Sequence, residues 1–162
     1  MADKVRRVEY YYVPVPDRPG EGLKVLSTLK NAGVLLLAIH AFPAGGGRAQ
    51  LDLVPEDAKK FRQAAQAAGL TLTGPKWAFL VTGDDRVGAT AEHGKKLADA
   101  KINITAVTAL GAGSGRYGMI MWVAPADYEK AAAARINDST FMPVIGSKAF
   151  VNTFMVYSSI PE

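Results

Sequence analysis

The 162-residue chain contains no cysteine. Disulfides, thiolate metal centres and a cysteine nucleophile are therefore excluded. Histidine is nearly as scarce: His40 and His93 show neither HxxxH nor HxH spacing, so no metal site is expected from them. No apolar run approaches the roughly 18 residues that a membrane-spanning helix needs. Residues 1–12 hold no apolar stretch of signal-peptide type. Strong charge of one sign is also lacking. The net charge is +4, and beyond Lys4, Arg6 and Arg7 the cations are scattered among acids. That pattern reads as a solvated surface rather than a nucleic-acid patch. A soluble cytoplasmic protein with neither membrane nor nucleic acid as partner is the expectation. Two glycosylation sequons, Asn103-Ile104-Thr105 and Asn137-Asp138-Ser139, carry no weight without a secretion signal.

With 49% apolar and 21% charged residues, the composition is globular. What the chain does have is a repeat. Asp17-Arg18-Pro19-Gly20 recurs as Asp85-Arg86-Val87-Gly88, a shift of 68 positions. The same shift takes Leu29 to Leu97, Ala32 to Ala100, Ala38 to Ala106, Ala41 to Ala109, Gly45 to Gly113 and Arg48 to Arg116. After a two-residue slip, Pro55, Asp57 and Lys60 fall on Pro125, Asp127 and Lys130. Identities spread over loop, helix and strand positions indicate a duplicated small domain rather than one shared motif. A unit of about 70 residues is marginal alone, so the copies should pack with each other or with a second chain.

Within the first copy, residues 8–15 are aromatic and β-branched and break at Pro16-Asp17-Arg18-Pro19-Gly20, which predicts a strand entering a loop. Leu23, Leu26 and Leu29 then form a helical stripe that Gly33 ends. Residues 34–42 are continuously apolar, as in a strand covered on both faces. Ala44-Gly45-Gly46-Gly47 turns the chain into a strand over 50–54. Asp57 caps a second helix, Leu70 opens a short last strand, and Gly74-Pro75-Lys76 links to the second copy. That copy predicts strands at 77–82, 102–110 and 117–124, and helices at 88–101 and 127–135. Residues 140–145 would supply its fourth strand and 149–158 an additional one. The expected fold is α+β: two tandem ferredoxin-like βαββαβ sandwiches, each an antiparallel sheet with both helices on one face. The corresponding domains are 6–74 and 75–146, followed by a tail over 147–162. Because Leu35 and Leu37 are apolar where Asn103 and Thr105 are polar, the first sheet should be covered on its helix-free side.

Several other signals weaken on inspection. Gly45-Gly46-Gly47 and Gly111-Ala112-Gly113-Ser114-Gly115 lead into strands, whereas a phosphate loop leads into a helix. Hairpin turns fit better, although Arg48 and Arg116 could reach an anion at the sheet end. Residues 115–122 faintly resemble an RNA-recognition strand, but Met119 and Met121 stand where stacking rings are needed. Asp84-Asp85 are adjacent loop acids with no further acidic cluster, which argues against a metal or acid/base pair. His93 matches Val25 on the apolar stripe and is expected in the core.

The better candidate is the loop joining the first strand to the first helix of each copy. Helix N-termini present unpaired N–H groups and partial positive charge, which suit a carboxylate. Asp17 or Asp85 could meet an ammonium, and Gly20, Gly22 or Gly88 admit a ligand to the backbone. The run from Val13 through Asp17-Arg18-Pro19-Gly20-Glu21-Gly22-Leu23, then Leu26, Leu29, Ala32, Gly33 and Val34, resembles the opening of an ACT domain. The second copy resembles it at Asp85-Arg86, Gly88, Leu97 and Ile102-Asn103-Ile104. It departs at Val87, where proline is usual, and at Thr90, where leucine is.

The resemblance implies a non-catalytic regulatory module that binds a small molecule, usually an amino acid, at domain or subunit seams. Carried over by position, the ligand residues would be Asp17, Arg18, Gly20, Glu21, Gly22 and Leu23 in the first copy. In the second they would be Asp85, Arg86, Gly88, Ala89, Asn103 and Ile104. It further implies a homodimer or other homo-oligomer, a regulated protein partner, and no cofactor or metal. The alternative is an oligomerisation scaffold without ligand.

Overall fold

A computed structural model describes residues 3–136 of the chain. The fold is α+β. By contacts the described residues separate into two units, 9–76 and 3–8 with 77–136. The expected strands over 140–145 and 149–158 lie outside the described residues.

In the unit formed by 9–76, β1 (Lys4–Pro16) supplies its residues 9–16. It is followed by α1 (Glu21–Asn31), β2 (Leu36–Gly45), β3 (Arg48–Pro55) and α2 (Ala58–Ala67). The antiparallel register sets Tyr11 against Leu53 and Val15 against Ala49, and β2 pairs with the other side of β3. Alternate residues of β1 and β3, namely Tyr11, Val13, Val15, Leu51 and Leu53, face Val25 and Leu29 of α1 and Phe61 of α2. The period-2 strand pattern and the helical stripe thus meet in one apolar layer. Asp57 caps α2 as its spacing predicts: Lys60 N donates to Asp57 Oδ1 at 2.9 Å. Asp57→Ala should cost about 1 kcal/mol, a typical N-cap loss, read as a fall in the urea midpoint at unchanged slope.

In the other unit, β4 (Thr73–Asp84) leads to α3 (Ala89–Asp99), β5 (Ile104–Gly113) and β6 (Arg116–Val123). The antiparallel register sets Val81 against Met119 and Val107 against Met121. A 3-10 turn (Pro125–Asp127), the one-turn α4 (Tyr128–Ala131) and π turns (Ala132–Ile136) replace the uniform helix expected over 127–135. The core comprises Phe79, Val81, Tyr117, Met119 and Met121 from the strands, with Ala89, Leu97 and Tyr128 from the helices. Tyr128 stacks on Phe79 at 4.8 Å and accepts the Arg7 guanidinium over its ring at 4.8 Å. Met119 and Met121 are therefore core side chains, not a base-stacking surface.

Gly74-Pro75-Lys76 joins the two units as the opening of β4 rather than as a loop. Pro75 precedes the stretch Phe79–Asp84 over which β4 pairs with β6. β2 is an edge strand, half-buried along 36–42, and Leu35 just before it is 57% exposed.

Candidate functional site

Both strand-to-helix loops have the same backbone. Asp17 N donates to Gly47 O at 2.9 Å, and Asp85 N to Gly115 O at 2.8 Å. Gly20 (φ +90°) and Gly88 (φ +84°) both sit in the left-handed region as helix N-caps. Neither contributes a side-chain cap, and the first N–H of α1 and of α3 turns back to the carbonyl of Arg18 at 3.3 Å and of Arg86 at 3.2 Å. The side chains differ. At the first loop, Glu21 lies in the opening turn of α1, 3.0 Å from Lys24 and 3.5 Å from Arg18. A carboxylate of the chain itself thus stands at the positive end of that helix. At the matching position of α3 stands Ala89, which is buried and uncharged; the acid in the first turn of α3 is Glu92, one residue triplet further on and held by Arg86.

The second loop borders an open cleft of about 210 Å³. Asp85, Arg86, Gly88, Ala89 and Thr90 form one wall, and Ala109, Leu110 and Gly111 of β5 the other, with Tyr117 below. Asp85 leans across: a Cβ built on Gly111 would lie 3.7 Å from its Oδ2. The cleft therefore offers a carboxylate and a helix N-terminus side by side. One attracts an ammonium, the other a carboxylate. Asp84 takes no part, because its carboxylate is bound by Arg116.

Of the residues expected at the second site, Asp85, Arg86, Gly88 and Ala89 share this cleft. Asn103 is exposed before β5, and Ile104 packs against the core; neither lines the cleft. Its β5 wall comes instead from the far end of the strand. In the first loop Asp17, Arg18 and Gly20 are exposed, Leu23 is 67% exposed, and a Cβ on Gly22 would lie 3.6 Å from Leu51.

Beneath the second loop lies a polar cluster. Asp3 Oδ2 accepts from Tyr117 Oη at 2.8 Å and lies 3.0 Å from His93 Nε2. Arg86 binds both Asp3 oxygens, at 3.0 and 2.9 Å, and also holds Glu92 and the Asp84 carbonyl. The Arg86 guanidinium, outweighing burial, holds the Asp3 carboxyl well below the usual carboxylate range. Such a group stabilises the folded state above the ordinary carboxylate pKa, and the contribution fades only as pH falls below that range. Burial, then Asp3, pushes the Tyr117 hydroxyl up. The hydrogen bonds place a proton on His93 Nε2. Tyr117 gives its proton to Asp3, so only a protonated Nε2 makes the 3.0 Å approach to Asp3 attractive. His93 is thus buried, as the repeat predicts, but as a hydrogen-bonded residue rather than an apolar filler.

A second buried acid stands on the helix-free side of the 9–76 unit. Asp52, 6% exposed, accepts from Gln50 Nε2 at 2.8 Å and lies opposite Tyr12 and His40 in the register. Burial raises its pKa, so its contribution to stability falls as pH rises through the folded value. Burial, with Asp52 and Tyr12 nearby, leaves Tyr10 pushed up to about 12.

Among the described residues there is no group of three or more metal-ligating side chains, and no helix is long and apolar enough to cross a membrane. No family model and no curated protein matches the sequence. Solved structures do match the fold. A protein of Bacteroides thetaiotaomicron aligns with a TM-score of 0.69 at 12% identity, over 80% of this chain and 87% of that one. The ligand-free regulatory subunit of aspartate kinase from Thermus thermophilus gives 0.58 at 20%, over 83% and 94%. The same subunit from Thermus flavus gives 0.55 at 22%, over 82% and 92%. The chain has an ACT-like α+β fold, similar to that of these regulatory subunits.

Proposed function

We propose that the protein is a non-catalytic regulatory module, two ACT-type domains in tandem, that binds an amino acid at the second strand-to-helix loop. The observation that carries this reading is the cleft where Asp85 faces the uncapped start of α3. An ammonium beside Asp85 and a carboxylate at the helix N–H groups satisfy both ends of a zwitterion. The first loop, with Glu21 at its helix start, is the less receptive of the two. Likeness of fold to aspartate kinase regulatory subunits supports a regulatory rather than a chemical role. Binding would act by favouring one arrangement of domains or subunits over another, in a homo-oligomer or toward a regulated protein partner.

A thermal-shift screen against the twenty amino acids tests this. A ligand at about a hundredfold excess over its Kd stabilises by roughly 2.7 kcal/mol, a rise of about 5–10 °C for a chain of this length. Asp85→Ala should abolish most of the rise, and Asp17→Ala should leave it. No shift at millimolar concentration would overturn the sensor and favour an oligomerisation scaffold.

A further inference from the structure

The second copy is polar where the first is filled with hydrocarbon. Val15, Val25 and Ala49 of the first copy match Gly83, His93 and Tyr117 of the second. Val15 and Val25 are buried among apolar neighbours. At Gly83 the missing side chain leaves a space that Asp3 occupies: an added Cβ would lie 2.7 Å from both Asp3 Cγ and Tyr117 Cε1. Asp3 is itself nearly buried, with 9% side-chain exposure, and its carboxylate touches Arg86, His93 and Tyr117. Two of these, Arg86 and Tyr117, line the cleft. By contrast Arg18, the counterpart of Arg86, is 70% exposed and pairs with Glu21 at 3.5 Å.

We propose that Asp3 is the positioning residue of the second cleft, fixing Arg86 and Tyr117 from the N-terminal segment, so that cleft shape and docking of that segment are one linked event. The link to a ligand rests on the reading of this cleft as an amino-acid site; the positioning itself does not. The Arg86 guanidinium joins Asp3 to the carbonyl of Asp84, the last residue of β4 before the loop. With Asp3 and Glu92 both bound to it, Arg86 serves as a brace and is not left to receive a ligand anion. Linkage makes the effect reciprocal: whatever stabilises the cleft stabilises the docked segment by the same factor.

Hydrogen exchange on the full chain tests the positioning without any ligand. Asp3→Asn keeps the shape and removes the charge, and loss of charge-assisted bonds of this kind corresponds to roughly tenfold or more in an opening equilibrium. Amides of 85–92 should exchange at least about tenfold faster in this variant, with α2 amides (58–67) unchanged. Arg86→Lys should in turn free the amides of 4–8. The pH profile separates charge from packing. The groups facing Asp3 are Arg86, His93 and Tyr117, with Glu92 beyond Arg86. Protection in the unsubstituted protein, corrected for intrinsic rates, should exceed that of Asp3→Asn throughout pH 7 to about 4, where Asp3 keeps its charge. Equal protection in Asp3→Asn and the unsubstituted chain would overturn the proposal. The amino acid giving the largest shift in the screen should bind Asp3→Asn about tenfold more weakly. Unchanged affinity would overturn the link to the ligand. A screen without any hit overturns the sensor alone and leaves the exchange result to decide on positioning.

Discussion

Gly83→Ala is expected to destabilise the protein by about 3 kcal/mol, although it adds one methyl group to a strand. The added Cβ would fall 2.7 Å from Asp3 Cγ and from Tyr117 Cε1, well inside carbon–carbon contact distance. Neither neighbour can yield cheaply. Asp3 is held by Arg86, His93 and Tyr117, and the Tyr117 ring is packed in the core against Met119 and its neighbours. Overpacking of this kind costs about 1–3 kcal/mol, and expelling Asp3 strips His93 and Tyr117 of a buried acceptor at a further 1–3 kcal/mol. For a chain of this length the melting temperature should drop by roughly 6–12 °C. A double-mutant cycle identifies the cause: in an Asp3→Gly background the alanine should cost clearly less, because the carboxylate it displaces is gone. A Gly83→Ala variant that melts within a degree of the parent would show that Asp3 does not occupy this space.

Much of the local structure is legible in the sequence because chemistry changes abruptly at the element ends. Pro16 to Gly20 and Gly88 mark the loops, the leucine stripe marks α1, and Asp57 marks the start of α2. The strand-to-helix loops follow from Asp17-Arg18-Pro19-Gly20 and its repeat at Asp85-Arg86-Val87-Gly88, whereas their paired backbone bonds to Gly47 and Gly115 do not. What stays hidden depends on which strands become neighbours. The apolar run over 34–42 does not announce that β2 lies at an edge, a property of strand order and not of its own residues. Gly74-Pro75 looks like punctuation, yet it opens β4, ahead of the stretch that pairs with β6.

The buried cluster shows the same limit more sharply. Asp3 meets His93 across a separation of 90 residues. Nothing near Asp3 in the sequence announces that contact. One signal was present: three aligned positions, Val15, Val25 and Ala49, change together to Gly83, His93 and Tyr117. A small residue opposite two new polar ones implies a third polar group filling the space. The cleft wall was similarly half legible. Its loop side follows from the motif, whereas Ala109, Leu110 and Gly111 join it because β5 runs back past the start of α3.

The 9–76 unit offers the other large effect. Phe61→Ala should cost about 3–5 kcal/mol, the usual range for deleting a fully buried ring. Phe61 is 0% exposed, and its ring lies 5.1 Å from that of Tyr11, which is 1% exposed. Only Phe61 and Ala65 of α2 are fully buried, so one side chain carries most of the helix's apolar contact with the strands. The next residue reinforces it: Arg62 NH1 donates to Tyr11 Oη at 2.6 Å, and Tyr11 donates in turn to Glu9 at 2.7 Å. Removing the ring loosens this pair as well, since the hydroxyl contact depends on α2 staying docked. In a domain whose whole stability is on the order of 5 kcal/mol, the loss consumes most of it. The expected signature is regional: α2 amides lose protection first, and the urea midpoint falls sharply. Leu23→Ala is the control, because a side chain 67% exposed should change stability by less than about 0.5 kcal/mol. Near-equal stability of the two variants would mean that α2 is not held by Phe61, and the packing of this unit would need to be redrawn around another contact.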